Sequence, residues 1–226
     1  MTKRIHFVAV LALALGPLVG AAHAAPAPEV DWLWGGGFHL GLPTGEFDAA
    51  ADEGYGAAGH FVALPQGRPF GLRGEVAALV YGSREYGPNG GYHSGGSQDG
   101  GLRTDTWFGN MLLGPELRAR SGGVRPYVHA LAGLGYFATT TEPNGCCGAG
   151  YDTTQFDDTT FAWAVGGGVE LAVGRSTSID LGARYLANGT VDYFTEQSIG
   201  AGGELLAPHR GEAHVVTFTV GIAFGR

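Results

Sequence analysis

Lysine is nearly absent from this chain: one stands in 226 residues, at position 3. Acidic residues outnumber basic ones by 21 to 13, for a formal charge of −8. So acidic a surface gives no footing to nucleic acid or other phosphate-rich ligands, which bind by having their phosphates neutralised. Cysteine is almost as scarce. The two present, Cys146 and Cys147, are neighbours. They close no useful loop and cannot staple the fold in the ordinary way. A strained vicinal disulfide, free thiols and an intermolecular bridge stay open, and no histidine lies near them in sequence to build a metal site. Beyond the first 24 residues there is also no apolar run long enough for a membrane-spanning helix.

Glycine, by contrast, is abundant, with 42 residues and no collagen-like period of three. Placed inside alternating strands, glycine suits a narrow barrel whose backbone bends and packs closely. The first residues read as a secretory signal peptide. Lys3 and Arg4 precede an apolar run from Phe7 to Val19, and Ala22-His23-Ala24 carries small residues at both recognition positions. Cleavage after Ala24 leaves one domain, residues 25–226, with 11 basic against 21 acidic residues, a charge near −10.

The stretch from Thr104 to Thr140 organises the rest. It reads as two long strands joined at Gly122-Gly123, with period 2 on both arms. Trp107, Gly109, Met111, Leu113, Pro115 and Leu117 share one face, and Val128, Ala130, Ala132, Leu134, Tyr136 and Ala138 continue it. A turn at the two glycines sets Glu116 opposite His129, Leu117 opposite Val128 and Gly109 opposite Tyr136, so turn and pattern agree on register. Six more strands follow the same alternation: about Trp32 to Leu42, Tyr55 to Leu64, Phe70 to Ser83, Thr159 to Val173, Ser178 onward, and Glu212 to Phe224. Asn188-Gly189 marks either a bulge or a hairpin turn near the end of the seventh. Long polar connections alternate with short turns. This asymmetry predicts an all-β, eight-stranded antiparallel up-and-down transmembrane β-barrel with short periplasmic turns and long external loops.

Aromatic placement points the same way. Trp107, Tyr136, Trp163 and Tyr185 fall on the lipid-facing side, about 8 to 15 residues, or roughly 20–40 Å, above the short turns. Trp32 and Trp34, with Phe70 and Phe224, form the lower band. The opposite face gathers charge. Arg73, Glu75, Glu116, Arg118, His129, Glu170, Asp180 and Arg184 are predicted to share the lumen as a salt-bridged plug, since buried charges persist only when paired.

Several segments carry a family resemblance. They are Leu42-Pro43-Thr44-Gly45-Glu46-Phe47, Gly71-Leu72-Arg73-Gly74-Glu75, Gly114-Pro115-Glu116-Leu117 with Arg125-Pro126-Tyr127-Val128, Gly182-Ala183-Arg184-Tyr185, and a last strand ending in Phe224. The mature sequence as a whole resembles the small outer-membrane β-barrel proteins of the OmpA/OmpX and opacity type. That resemblance implies residence in outer-membrane lipid of a Gram-negative envelope and recognition of the C-terminal strand by the barrel-assembly machinery. Members end on an aromatic residue, whereas Gly225 and Arg226 follow Phe224 here.

Little supports catalysis, a cofactor or a metal. His39, His60 and His129 lie on lumen faces, where a packed polar interior explains them. His209 and His214, near the external rim, keep open a lipid A-modifying enzyme, but no Ser-His-acid set accompanies them. Asp152, Asp157 and Asp158 match no calcium-loop spacing. A soluble lipocalin-like carrier is the other alternative, with the apolar face turned inward. The expectation is a non-enzymatic surface protein whose external loops meet a surface or host ligand, for adhesion or envelope integrity.

Overall fold

The computed structural model describes residues 29–49, 51–86, 101–144, 154–193 and 209–225. The signal peptide expected over 1–24, Cys146, Cys147 and Asp152 lie outside the described residues. Eight strands account for nearly all of the rest: β1 (Val30–Thr44), β2 (Gly54–Pro65), β3 (Phe70–Tyr86), β4 (Gly101–Arg118), β5 (Val124–Asn144), β6 (Thr154–Ala172), β7 (Thr177–Tyr193) and β8 (His209–Gly225). Each pairs antiparallel with its sequence neighbours, and β8 returns to β1, so the sheet is a closed barrel. Closure leaves no strand edge with unpaired backbone groups.

The register set by the glycine turn is the one observed. Gly109↔Tyr136, Glu116↔His129 and Leu117↔Val128 are partners, and the same register runs up to Gly101↔Asn144. The strands themselves stop slightly earlier at the turn, at Arg118 and Val124, with the Ala119 amide donating to the Pro126 carbonyl at 2.9 Å. Gly122 takes the left-handed φ of 103° that the reversal needs. Asn188-Gly189 is a bulge and not a turn: the β7–β8 ladder shifts register between Ala187 and Thr190 and then continues.

Two expectations need correction. The strands run longer than their apolar alternation, β5 reaching Asn144, past Thr140, and β6 beginning at Thr154, ahead of Thr159. The ladder Ala138↔Asp157 to Thr141↔Thr154 satisfies the backbone there, so pairing continues above the apolar band. The acidic stretch after β1 is also more than a loop. Gly45–Ala49 forms a short 3-10 turn that drives Phe47 into the barrel.

The pleat sorts side chains by sign of contact. Outward positions carry Trp34, Phe38, Leu72, Val76, Val80, Leu113, Val128, Leu134, Phe161, Val165, Phe218 and Val220, all exposed. The lumen is narrow enough that backbone must touch side chain. Gly35, for example, leaves room for the His60 ring, which a Cβ there would overlap.

Candidate functional site

The lumen has two layers. The lower one, toward the short turns, is ionic. Arg73 on β3 donates from Nη2 to Glu75 Oε2 at 3.0 Å and from Nη1 to Glu116 Oε2 at 2.9 Å. Arg118 on β4 donates from Nε to Glu116 Oε1 at 2.7 Å and from Nη1 to Glu170 on β6. Arg184 on β7 closes the other end by pairing with Glu75, while its Nε reaches Thr217 at 2.9 Å. Asp180 accepts from the Tyr127 hydroxyl at 2.7 Å, and the Tyr127 ring lies 5.5 Å from the Arg73 guanidinium and 5.2 Å from that of Arg118. The result is an alternating chain of charge that crosses from strand to strand.

A residue absent from the expected set completes it. Arg125, at the foot of β5, pairs with Glu170 at 3.4 Å and with Ser178. Three carboxylates (Glu75, Glu116, Glu170) thus pair with four arginines (Arg73, Arg118, Arg125, Arg184), while Asp180 is held by the Tyr127 hydroxyl. The inward parity of Arg125, two residues before Tyr127, was the signal available for it in the sequence. His129 behaves otherwise than its register suggests. It is Glu116's ladder partner, but Glu116 turns to the two arginines, and the His129 ring stacks on Tyr127 at 6.0 Å and 18°. His39 makes a 3.0 Å hydrogen bond with Thr219, and His60 is buried. A cavity of about 10 Å³ lies between Arg73, Glu75, Tyr127, His129, Asp180 and Arg184, about one water's worth of space. No substrate fits there.

The upper layer is apolar. Phe47, fully buried, packs edge-on to Tyr81 (5.2 Å, 80°) and Phe137 (6.2 Å, 89°), and Phe137 packs on Phe108 at 4.5 Å. Leu79, Leu112, Leu131, Leu186, Val191 and Val215 complete the chamber. Nothing in strand alternation distinguishes this half from the ionic half except the side chains themselves.

At the outer surface the aromatic residues pair up. Trp107 sits 5.3 Å from Tyr136, and Trp163 sits 6.0 Å from Tyr185. Trp32 stacks on Trp34 at 6.2 Å, with Phe61 5.6 Å from Trp34. His214 Nε2 lies 2.9 Å from Glu212 and its ring 5.7 Å from Tyr185, with no described serine or threonine hydrogen-bonded to it. Asp158 accepts from the Thr159 amide at 2.8 Å, a local backbone contact, and Asp157 is exposed.

The rims differ in charge. The long connections 45–53, 87–100, 145–153 and 194–208 hold eight acidic residues and no lysine or arginine. The short connections 66–69, 119–123 and 173–176 each hold one arginine and no acid. Arg120 is spent on a latch: it pairs with Asp31 and donates to the carbonyls of Pro65 at 3.1 Å and Arg68 at 2.9 Å.

These features define a class: a closed eight-stranded antiparallel barrel, apolar outside and filled inside. Solved structures of small outer-membrane barrels have this fold. Ail of Yersinia pestis in complex with the heparin analogue sucrose octasulfate is 12% identical over 88% of this chain and 99% of its own, with a TM-score of 0.53. Ail without it gives 0.51 at the same identity and coverage. Neisserial surface protein A is 14% identical over 85% of this chain and 96% of its own, at 0.47. No family model and no curated protein sequence matches the chain.

Proposed function

We propose that this chain is an integral outer-membrane barrel, neither pore nor enzyme, that acts at the cell surface through its long connections. The observation that carries the reading is the outward band of exposed Trp, Phe, Leu, Val and Ile on seven of the eight strands, continued on β2 by Tyr55. Water penalises such a band and a bilayer accepts it. A soluble carrier needs the reverse orientation. The paired aromatics Trp107–Tyr136 and Trp163–Tyr185 suit the upper interface, and the Trp32–Trp34 cluster the lower one. Both lumen layers are filled, which supports a role outside transport, and His214 with Glu212 lacks the nucleophile that lipid A chemistry requires. The mature protein is expected to fractionate with outer membranes and to leave them only in detergent. Recovery as a detergent-free soluble monomer would overturn the reading.

Ligand class follows from the rim. The long connections, with eight acids and no lysine or arginine, repel polyanions, so the heparin-analogue binding seen for Ail does not transfer. A cationic surface partner fits instead. On a heparin column at physiological ionic strength the folded barrel is expected in the flow-through, and retention there would remove the acidic connections as the contact surface.

A further inference from the structure

The apolar chamber in the upper lumen holds polar atoms that its packing leaves without a hydrogen bond among the described residues: the Tyr81 hydroxyl, Asn188 Oδ1, and both amide atoms of Asn110, on β4 between Phe108 and Leu112. Tyr81 is 1% exposed and Asn188 2%. The Tyr81 hydroxyl lies beside Leu79 and Val215, in front of Gly41, and Asn188 Oδ1 lies beside Phe108 and Ala162, in front of Gly135. Asn188 is held there by its own Nδ2, which donates to the Ala213 carbonyl at 2.7 Å. A mostly apolar enclosure with a few convergent polar groups is the usual composition of a small-molecule site.

The chamber is filled by a side chain that no strand supplies. Phe47 arrives on the five-residue turn Gly45–Ala49, entered through Gly45 at φ 67°, between the exposed Glu46 and Asp48. Its ring enters the interior, and its carbonyl accepts from the amide of Ala51, itself buried in the same cluster, at 3.0 Å. The ring offers Tyr81 and Phe137 an edge-on partner and leaves the Asn188 oxygen unmet.

We propose that this chamber is a binding site for a molecule of one aromatic ring bearing one O–H or N–H donor, phenol being the simplest, with Phe47 as its resident competitor. The ring takes the place of the Phe47 ring between Tyr81 and Phe137. The donor serves Asn188 Oδ1, which can only accept, and the Tyr81 hydroxyl can complete the contact in either direction. Entry is from the external rim, when the Gly45–Ala49 turn lifts. The apparent affinity of the wild type is therefore reduced by the fraction of molecules in which Phe47 is docked.

Phenol and toluene titrations of wild-type barrel and Phe47→Ala, both folded in lipid vesicles, test this, with the urea unfolding midpoint and phenol-to-Phe137 nuclear Overhauser contacts as readouts. Phe47→Ala is expected to bind phenol at least tenfold more tightly than the wild type, and phenol more tightly than toluene. Equal responses from the two proteins would mean partition into the bilayer and would overturn the site. Equal responses to phenol and toluene would overturn the anchoring by Asn188 and Tyr81. Should Phe47→Ala fail to fold, Phe47→Leu, which keeps an apolar stopper but loses the edge-on ring contacts, must show the same ranking or the proposal falls.

Discussion

Replacing Glu116 by alanine is expected to lower the stability of the folded barrel by about 3–5 kcal/mol, the cost of stranding a buried charge whose partner is removed. Glu116 is the junction of the ionic layer: one oxygen serves Arg73 and the other Arg118. Its side chain has no exposure, and those of Arg73 and Arg118 have 4% and 2%. Neither guanidinium can turn to solvent, and Arg118 would be left with Glu170 alone. Glu116→Gln keeps an acceptor at the same place and should lose less, because the arginines retain a hydrogen bond but not the charge. Urea unfolding of the barrel in lipid vesicles gives both numbers. Unchanged midpoints for Glu116→Ala and for Arg73→Ala would show that the ionic layer is idle.

Leu113→Arg should cost about 2–4 kcal/mol in a bilayer, the penalty of an arginine on the lipid face near mid-height. Leu113 is outward on β4 and half exposed, with Trp107 toward one end of the apolar band and Leu117 toward the other. Near either aromatic belt the same arginine would reach the interface and cost little. The experiment compares Leu113→Arg with an arginine at Val124, the first residue of β5, in the same vesicles. Equal midpoints for the two would mean that the outward band does not sit in hydrocarbon.

The register of the central hairpin was legible because two independent signals, a glycine turn and period-2 faces, had to agree, and a slip by one residue would have inverted every side chain. The inward charges were legible for the same reason. Other features lacked a periodic signal. Phe47 stands between Glu46 and Asp48 in a segment without alternation, so its burial comes from tertiary packing that no local pattern encodes. Arg125 did share the inward parity of Tyr127, but two residues past a glycine turn and beside Pro126 that parity is outweighed by a context that reads as solvent-facing rim. Asn-Gly serves both hairpin turns and bulges, and at 188–189 only the continuing ladder to Tyr193↔His209 decides between them. The upper strand extensions were missed because above the apolar band both faces are polar, which erases the alternation while the hydrogen bonding continues.

The seam between β1 and β8, from Leu33↔Gly225 to Thr44↔His214, joins the first strand of the barrel to its last. It therefore sets an order in time. Until His209–Gly225 has been delivered, β1 and β7 each carry an unpaired flank, a state that hydrocarbon does not tolerate. In the bilayer proposed above, the barrel's backbone is satisfied only once this seam has closed, so closure and residence in hydrocarbon stand or fall together.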